Sequence, residues 1–346
     1  GNKSRPNLLY IGMANYCYPD HLLIGPSYYE TLGCSISFLN FCWTDPSPSD
    51  LDEAFANVDI ILIAGGNTLF AVDRWTKLGI DLRIREAVLE RNAVVAGGSA
   101  GFISLCDGGH SDSMKPGSFK NPVGPLLNPD MSMRHTIDKS WEYVRVPGIG
   151  LIDALCCPDY DTVQNNGVSR ADDFNNMMRR HSGEYGIAVD DWAALVIDGH
   201  SYHIVSRANH TGSVGKDGSF VPNSTGAPGV WALSVDGNDG NIKRELVQRK
   251  GEVSDIIHSP KWVVEDPMVK VARAQNPDDG KPAAWTEFPE LRDEHPMLHF
   301  VIFIVSFVSF ALVVPALVVS YILWRMEFLR AHPYEQVPVP AGANTV

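Results

Sequence analysis

Gly97-Gly98-Ser99-Ala100-Gly101 is the part of this sequence best built for chemistry. It is a G-x-S-x-G pattern directly after the apolar run Ala93 to Ala96. In that context the glycines let a tight strand-to-helix turn pass close to its neighbours, and the turn presents the Ser99 hydroxyl at the C-terminal edge of a sheet. Such a hydroxyl can attack a carbonyl, and the backbone N–H of Ala100 can then stabilise the oxyanion. A second glycine turn, Gly65-Gly66-Asn67-Thr68, follows the apolar run Ile60 to Ala64. In a parallel sheet it reaches the same edge, so Gly66 can add a backbone donor and Asn67 can hold a polar substrate group. Asn67 or Thr68 can equally cap a helix that starts there. The bland reading of the elbow is a glycine turn or a phosphate-binding helix start. No lysine follows in P-loop position, and the full dinucleotide fingerprint is absent.

The elements needed to position these turns are legible. Asn7 to Ala14, Ser35 to Phe41, Ile60 to Ala64 and Ala93 to Ala96 read as strands. The continuous apolar run at Ile60 to Ala64 suits a parallel strand buried on both faces. Asp50 to Ala56 reads as a short helix capped by Ser49 or Asp50, and Ala71 to Arg91 has the apolar spacing of one long helix. The β-α-β-α order predicts an α/β, doubly wound, mainly parallel sheet. Further on, Ala171 to His181 reads as a helix. Ile187 to Ile197 and Tyr202 to Ser206 flank Asp198-Gly199 as a hairpin. Asn209 to Gly229 reads as a flexible surface loop and Val230 to Val235 as a strand.

The motifs together resemble the dipeptidase E and cyanophycinase family of serine peptidases. Besides the two glycine turns, Gly109-His110-Ser111-Asp112-Ser113 resembles the family segment that carries an acidic residue. Cys157-Pro158-Asp159-Tyr160-Asp161 with Arg170 and Phe174 resembles its C-P-H-Y-D…R…F block, and Gly186 to Leu195 resembles its G-x-A-x-D-D-G-A-A-L hairpin. The resemblance covers about Asn7 to Ser206. It implies a flavodoxin-like fold akin to class I glutamine amidotransferases, and cleavage after aspartyl residues. It assigns Ser99 as nucleophile, Asp112 as the acidic member, and Gly66, Asn67, Ala100 and Arg170 to substrate binding.

Two positions depart from that pattern. Asp159 stands where the family has its catalytic histidine, and Trp192 stands where the hairpin has glycine. Serine needs a proton acceptor with a pKa near neutrality. A free aspartate, at about 3.9, is a poor one, although a nearby Asp112 would raise it. Losing the histidine of a serine triad costs about 10⁶ in kcat in the subtilisin case. His110 and His135 are the alternative bases in principle. Trp192 is expected to fill space near the site.

The rest of the sequence bears on location. The formal net charge is -13 over 346 residues, which disfavours nucleic-acid binding. None of the six cysteines forms a C-x-x-C pair, so no metal site is expected, and no cofactor is implied. Cys156 and Cys157 read as buried core thiols, while the even count leaves disulfides open. No basic-then-apolar leader is visible at the start of the chain, and Arg5 fits a myristoylation pattern poorly. Leu298 to Trp324 contains no Asp, Glu, Lys or Arg. At about 1.5 Å per residue it is long enough to cross a hydrocarbon core of about 30 Å as a helix kinked at Pro315. Arg325 and Arg330 after it, against Glu287, Glu290, Asp293 and Glu294 before it, place the tail on the cytoplasmic or matrix side. Sequons occur at Asn2, Asn209 and Asn223, and Tyr334-Glu335-Gln336-Val337 resembles a tyrosine-based sorting signal.

The expected organisation is a dipeptidase E-like domain over 1–250, a linker over 251–296, a transmembrane helix over 297–324 and a tail over 325–346. The expected role is a membrane-anchored, catalytically impaired member of the fold. It would serve as an accessory or structural subunit of a membrane assembly, for example a mitochondrial respiratory complex. An active hydrolase cleaving after aspartyl residues, or a binding protein for a small acidic peptide, are the alternatives. The expected partners are the lipid bilayer and other membrane subunits. The mitochondrial inner membrane and a secretory or endolysosomal membrane both remain open.

Overall fold

The computed structural model describes residues 5–17, 26–115, 137–237 and 239–275. The chain divides into Gly1–Ala284 and Trp285–Val346, and the second unit lies outside the described residues. So does the apolar stretch Leu298 to Trp324. Among the described residues no helix is long and apolar enough to cross a membrane.

Four parallel strands carry the elbow. They are β1 (Asn7–Ile11), β2 (Ser35–Leu39), β3 (Ile60–Ile63) and β4 (Val94–Gly97), in the order β2-β1-β3-β4. Alternation along β1 explains why the run is apolar throughout. Leu9 and Ile11 join one buried cluster with Leu39, Ile61, Trp75 and Ile84, while Leu8 and Tyr10 join another with Cys34 and Ala64.

The helices follow local sequence logic. Helix α1 (Pro48–Phe55) starts from Ser47, two residues before the earlier of the two expected caps. Ser47 and Asp50 form a reciprocal capping box with Pro48 at the first helical position. The single helix expected over Ala71 to Arg91 is two, α2 (Thr68–Leu78) and α3 (Ile80–Leu89). Gly79 divides them in the left-handed region at φ 70°, ending the first helix where an L side chain is disfavoured. A six-residue helix, α4 (Ala100–Leu105), runs from the elbow straight into β5 (Cys106–Ser111).

The parallel strands do not form one sheet as expected. With β6 (Val144–Pro147), β7 (Ile152–Cys157), β8 (Gly186–Val189), β11 (Val230–Val235) and β12 (Ile242–Leu246), β5 forms a second sheet ordered β12-β11-β8-β7-β5-β6. Its central strands β5, β7 and β8 are parallel, and its flanks are antiparallel. The observed class is therefore α/β with parallel sheets, which fits a flavodoxin-like fold in class although the strands are divided between two sheets. Helix α5 (Arg170–Arg180), capped by Ser169, covers this sheet through Phe174, Met177 and Met178.

The strand expected over Ile187 to Ile197 is also divided. It breaks after β8 at Asp190 to Trp192 and resumes as β9 (Ala193–Asp198) in a separate sheet with β10 (Ser201–Ser206) and β13 (Lys250–Glu252). The hairpin at Asp198-Gly199 is present, with Gly199 at φ 57°.

Three further expectations change. Cys156 is not a thiol: it bridges to Cys106, and Cys17 bridges to Cys42, leaving Cys34 and Cys157 as free buried thiols. Residues 251–275, expected as linker, hold the end of β13 and helix α6 (Pro267–Gln275). The start of α6 is fixed by Asp266, which accepts from the Arg145 and Met268 N–H groups beside the buried Arg145–Glu184 pair. Burial alone would raise the Asp266 pKa, but hydrogen bonds from His181, Arg145 and Met268 bring it down to about 2.

Finally, the loop expected over Asn209 to Gly229 is pinned. Asp190, 2% exposed, accepts from the Ser213 N–H and hydroxyl and from the Gly229 N–H, all at 2.7–2.9 Å. Trp231 Nε1 donates to the same Ser213 hydroxyl at 2.7 Å. Asp190→Ala is expected to leave these donors unpaired, destabilise the domain by about 2–3 kcal/mol, and open 207–229 to limited proteolysis; thermal melts and peptide mapping check both.

Candidate active site

The register of β3 on β4 pairs Ile63 with Gly97, so the two glycine turns leave the sheet side by side. A Cβ added to Gly65 would stand 3.3 Å from Ser99 Cβ, so glycine here gives the nucleophile its space. The turn is equally tight below. A Cβ on Gly97 would reach within 2.5 Å of the Gly101 backbone, and one on Gly101 within 2.7 Å of the Ile63 carbonyl oxygen. Ser99 itself sits at φ 52°, ψ −119°, a strained conformation for a residue with a side chain. Its hydroxyl does not cap α4, and among the described residues it makes no hydrogen bond. The N–H groups of Gly66 and Ala100 likewise have no acceptor among the described residues. The elbow therefore offers a half-buried hydroxyl flanked by uncommitted backbone donors.

The other candidate residues lie past the C-terminal ends of β5 and β7. The segment with Asp112 is fastened to the start of α2. The Ser111 hydroxyl donates to Thr68 Oγ1 at 3.0 Å, the Leu69 N–H donates to Ser113 Oγ at 3.1 Å, and Asn67 Nδ2 donates to the Ser113 carbonyl at 3.3 Å. Asn67, 2% exposed, also accepts from the Phe70 N–H at 2.9 Å. It is thus the cap of α2, and its side chain serves the wall of the site.

Arg170 is 1% exposed and bridges three elements. Nη1 donates to Asp159 Oδ2 at 3.0 Å, Nη2 donates to the His110 carbonyl at 2.9 Å, and the guanidinium lies 5.2 Å from the Tyr143 ring centre. Asp159, at φ 47°, stands in the left-handed region, with its own carbonyl accepting from the Thr162 N–H and hydroxyl. Its carboxyl is about one-third exposed. Burial raises its pKa, Arg170 opposes this, and the charges of Asp112, Asp191 and Asp161 add to the rise. Among the described residues no hydrogen bond links Ser99 to Asp112 or Asp159.

His110 is fully buried beneath this pair. Nε2 meets Asp173 Oδ1 at 2.9 Å, and the ring stacks on Tyr143 at 4.1 Å. Burial drives its pKa down to about 4, against the pull of Asp173. It is therefore a neutral, committed core histidine rather than the base of Ser99. His135 lies outside the described residues. Trp192 occupies a left-handed position, φ 68°, which accounts for glycine in the resembled hairpin. Instead of filling the site it is 42% exposed, stacked on His210 at 3.9 Å with Arg207 5.0 Å over the ring. A cleft of about 490 Å³, lined in part by Asp73, Lys77, Pro147 and Arg273, contains none of these residues.

The elbow after a parallel strand, beside a second glycine turn, agrees with the match of Peptidase family S51 to residues 1–205. The chain belongs to peptidase family S51. A Trypanosoma brucei brucei protein named G2/mitotic-specific cyclin-1 is 24% identical to this S51 chain over 294 residues, spanning 79% of it and 83% of the relative. The peptidase YgaJ of Bacillus subtilis (strain 168) is 29% identical over 167 residues, 48% of this chain and 58% of that protein. Among crystal structures, a peptidase E protein from Listeria monocytogenes EGD-e aligns at 16% identity and TM-score 0.40, over 60% of this chain and 90% of that one. A peptidase from an acI-B1 Actinobacterium aligns at 13% identity and TM-score 0.40, over 73% and 84%.

Sequence reasoning missed the Asp159–Arg170 pair, although both positions were singled out, because residues eleven apart reveal no pairing until the strand end and helix start are placed. It also missed the role of Asp173, which carries no motif. His110 supplies a pH signature. Its pKa is depressed below the ordinary 6.5, so its contribution to stability is complete above that value and is lost as pH falls towards 4. The stability of the native chain is expected to fall relative to His110→Gln across that window, measured by chemical denaturation at stepped pH.

Proposed function

We propose that this S51 protein has lost peptide turnover at Ser99 and acts as a membrane-anchored accessory or structural subunit. The observation that carries the reading is the commitment of Asp159 to Arg170. In a serine hydrolase the acceptor beside the hydroxyl must take its proton during attack and return it to the leaving group. Burial raises the Asp159 pKa, but Arg170 already holds its Oδ2, so the carboxylate is committed elsewhere, and the hydroxyl has no hydrogen-bonded acceptor among the described residues. The same pair affects substrate binding. The resemblance gives Arg170 to the substrate's aspartyl carboxylate, and here Asp159 already sits on that guanidinium like an internal substrate carboxylate.

The elbow supports a second reading, an active hydrolase of acidic peptides with another base. Ser99 keeps its strained presentation, and Gly66 and Ala100 keep uncommitted N–H groups. Fluorophosphonate labelling of Ser99 and hydrolysis of Asp-X dipeptides separate the two. Native protein is expected to be silent in turnover, and Asp159→His is expected to raise it by at least an order of magnitude. Native turnover abolished by Ser99→Ala would sink the first reading. Binding of an Asp-X dipeptide without turnover, lost in Arg170→Ala, would instead support a role as an acidic-peptide receptor.

Anchoring rests on the uncharged stretch Leu298 to Trp324, which lies outside the described residues. Two disulfides favour a domain on the non-cytosolic side, as does the arginine-bearing tail. The full chain is expected to resist alkaline extraction from membranes. It is also expected to migrate far above its monomer mass on native gels in mild detergent; release by alkali counts against the anchor and a monomer against the subunit role.

A further inference from the structure

We propose that Asn209 and Asn223 carry N-linked glycans, which selects the secretory or endolysosomal membrane over the mitochondrial one. The inference is independent of whether Ser99 is active. Two separate observations carry it.

The first is where the acceptors stand. Asn209-His210-Thr211 and Asn223-Ser224-Thr225 both lie in the excursion between β10 and β11. Both asparagines are exposed, both sit in turns, and both take positive φ, 62° and 58°. Turn geometry accounts for asparagine at such positions, since asparagine tolerates the left-handed region. It does not account for threonine two residues later. Asn92, at φ 57°, meets the same backbone demand and is followed by Ala93 and Val94. Thr211 and Thr225 are both exposed, and Thr225 binds only within its own turn, to the Pro222 carbonyl at 3.0 Å. The hydroxyls that complete the two sequons thus have little structural duty. The flanking Arg207, Ala208 and Pro222 are exposed as well, so a sugar at either site meets solvent rather than protein.

The second observation is the pair of disulfides, Cys17–Cys42 and Cys106–Cys156. Disulfides persist where thiols are oxidised, and the secretory lumen is the oxidising compartment in which sequons are glycosylated. The donor is a lipid-linked oligosaccharide diphosphate, used by the host's oligosaccharyltransferase as the chain enters the lumen. The asparagine Nδ2 forms a bond to the anomeric carbon of the first sugar, the bond from that carbon to the diphosphate oxygen breaks, and the lipid diphosphate leaves with the electron pair. The amide proton passes to a base of the transferase. Folding must then leave both asparagines outside, as it does. One glycan would rise beside the stack of His210 on Trp192, the other beside Ser224, whose hydroxyl donates to Asp161.

The test uses the full chain in a eukaryotic cell, treated with peptide:N-glycosidase F and read by mobility and by peptide mass. Native protein is expected to lose two glycans, with both asparagines converted to aspartate. Asn209→Gln and Asn223→Gln are each expected to lose one. Thr211→Ala and Thr225→Ala should do the same while leaving the left-handed asparagines in place, which guards against misfolding of the first pair. Absence of any shift overturns the proposal, as does a shift that persists undiminished in the Asn209→Gln/Asn223→Gln chain, which assigns the glycan to Asn2. Occupancy of one site alone overturns it for the other.

Discussion

A guanidinium with almost no access to water has to find its acceptors where it lies, and Arg170 finds them on separate elements. It takes Asp159 from beyond β7, the His110 carbonyl from β5 and the face of Tyr143 from just before β6, while standing at the first position of α5. Removing any partner would leave charge or polarity stranded in the interior, the expensive case for buried ion pairs. The sheet ends that bear the acidic residues are therefore held in one arrangement by one side chain. That rigidity has a chemical side: the Asp159 carboxylate is committed to neutralising the arginine.

The elbow is governed by a different constraint, close approach of backbone. Gly65, Gly97 and Gly101 stand where any Cβ would press on Ser99, on the next turn of chain or on the end of β3. This geometry is present although the hydroxyl of Ser99 has no hydrogen-bonded partner among the described residues. Strain of this kind persists only when its surroundings over-determine it, and here the glycines and the Ile63–Gly97 register do so whether or not Ser99 reacts. An intact elbow is thus a statement about packing as well as about chemistry.

What the sequence made legible divides along the same line. Contiguous signals were readable: the apolar strands, the glycine turns, the Asp198-Gly199 hairpin and the helix that became α5. Signals that depend on two distant positions were not. Gly79 lies within the apolar spacing read as one long helix, yet its left-handed conformation ends one helix and begins the next. Asp190 looked like half of a motif, yet it orders a glycine-rich stretch that by composition alone reads as flexible. Cys156 looked like its neighbour Cys157, but alternation along β7 sends the two to opposite faces, one to Cys106 and the other to the core under α5.

That bridge has a consequence for how the fold is reached. The pairing of β5 with β7 is parallel and is closed by a crossover, the kind of non-local contact that slows folding because chain entropy is lost before contacts repay it. Cys106 and Cys156, separated by 50 residues, join the same two strands. Once oxidised, the link holds the two strands at short range in the unfolded chain, so less chain entropy is lost when the edge bearing Asp112 and Asp159 pairs.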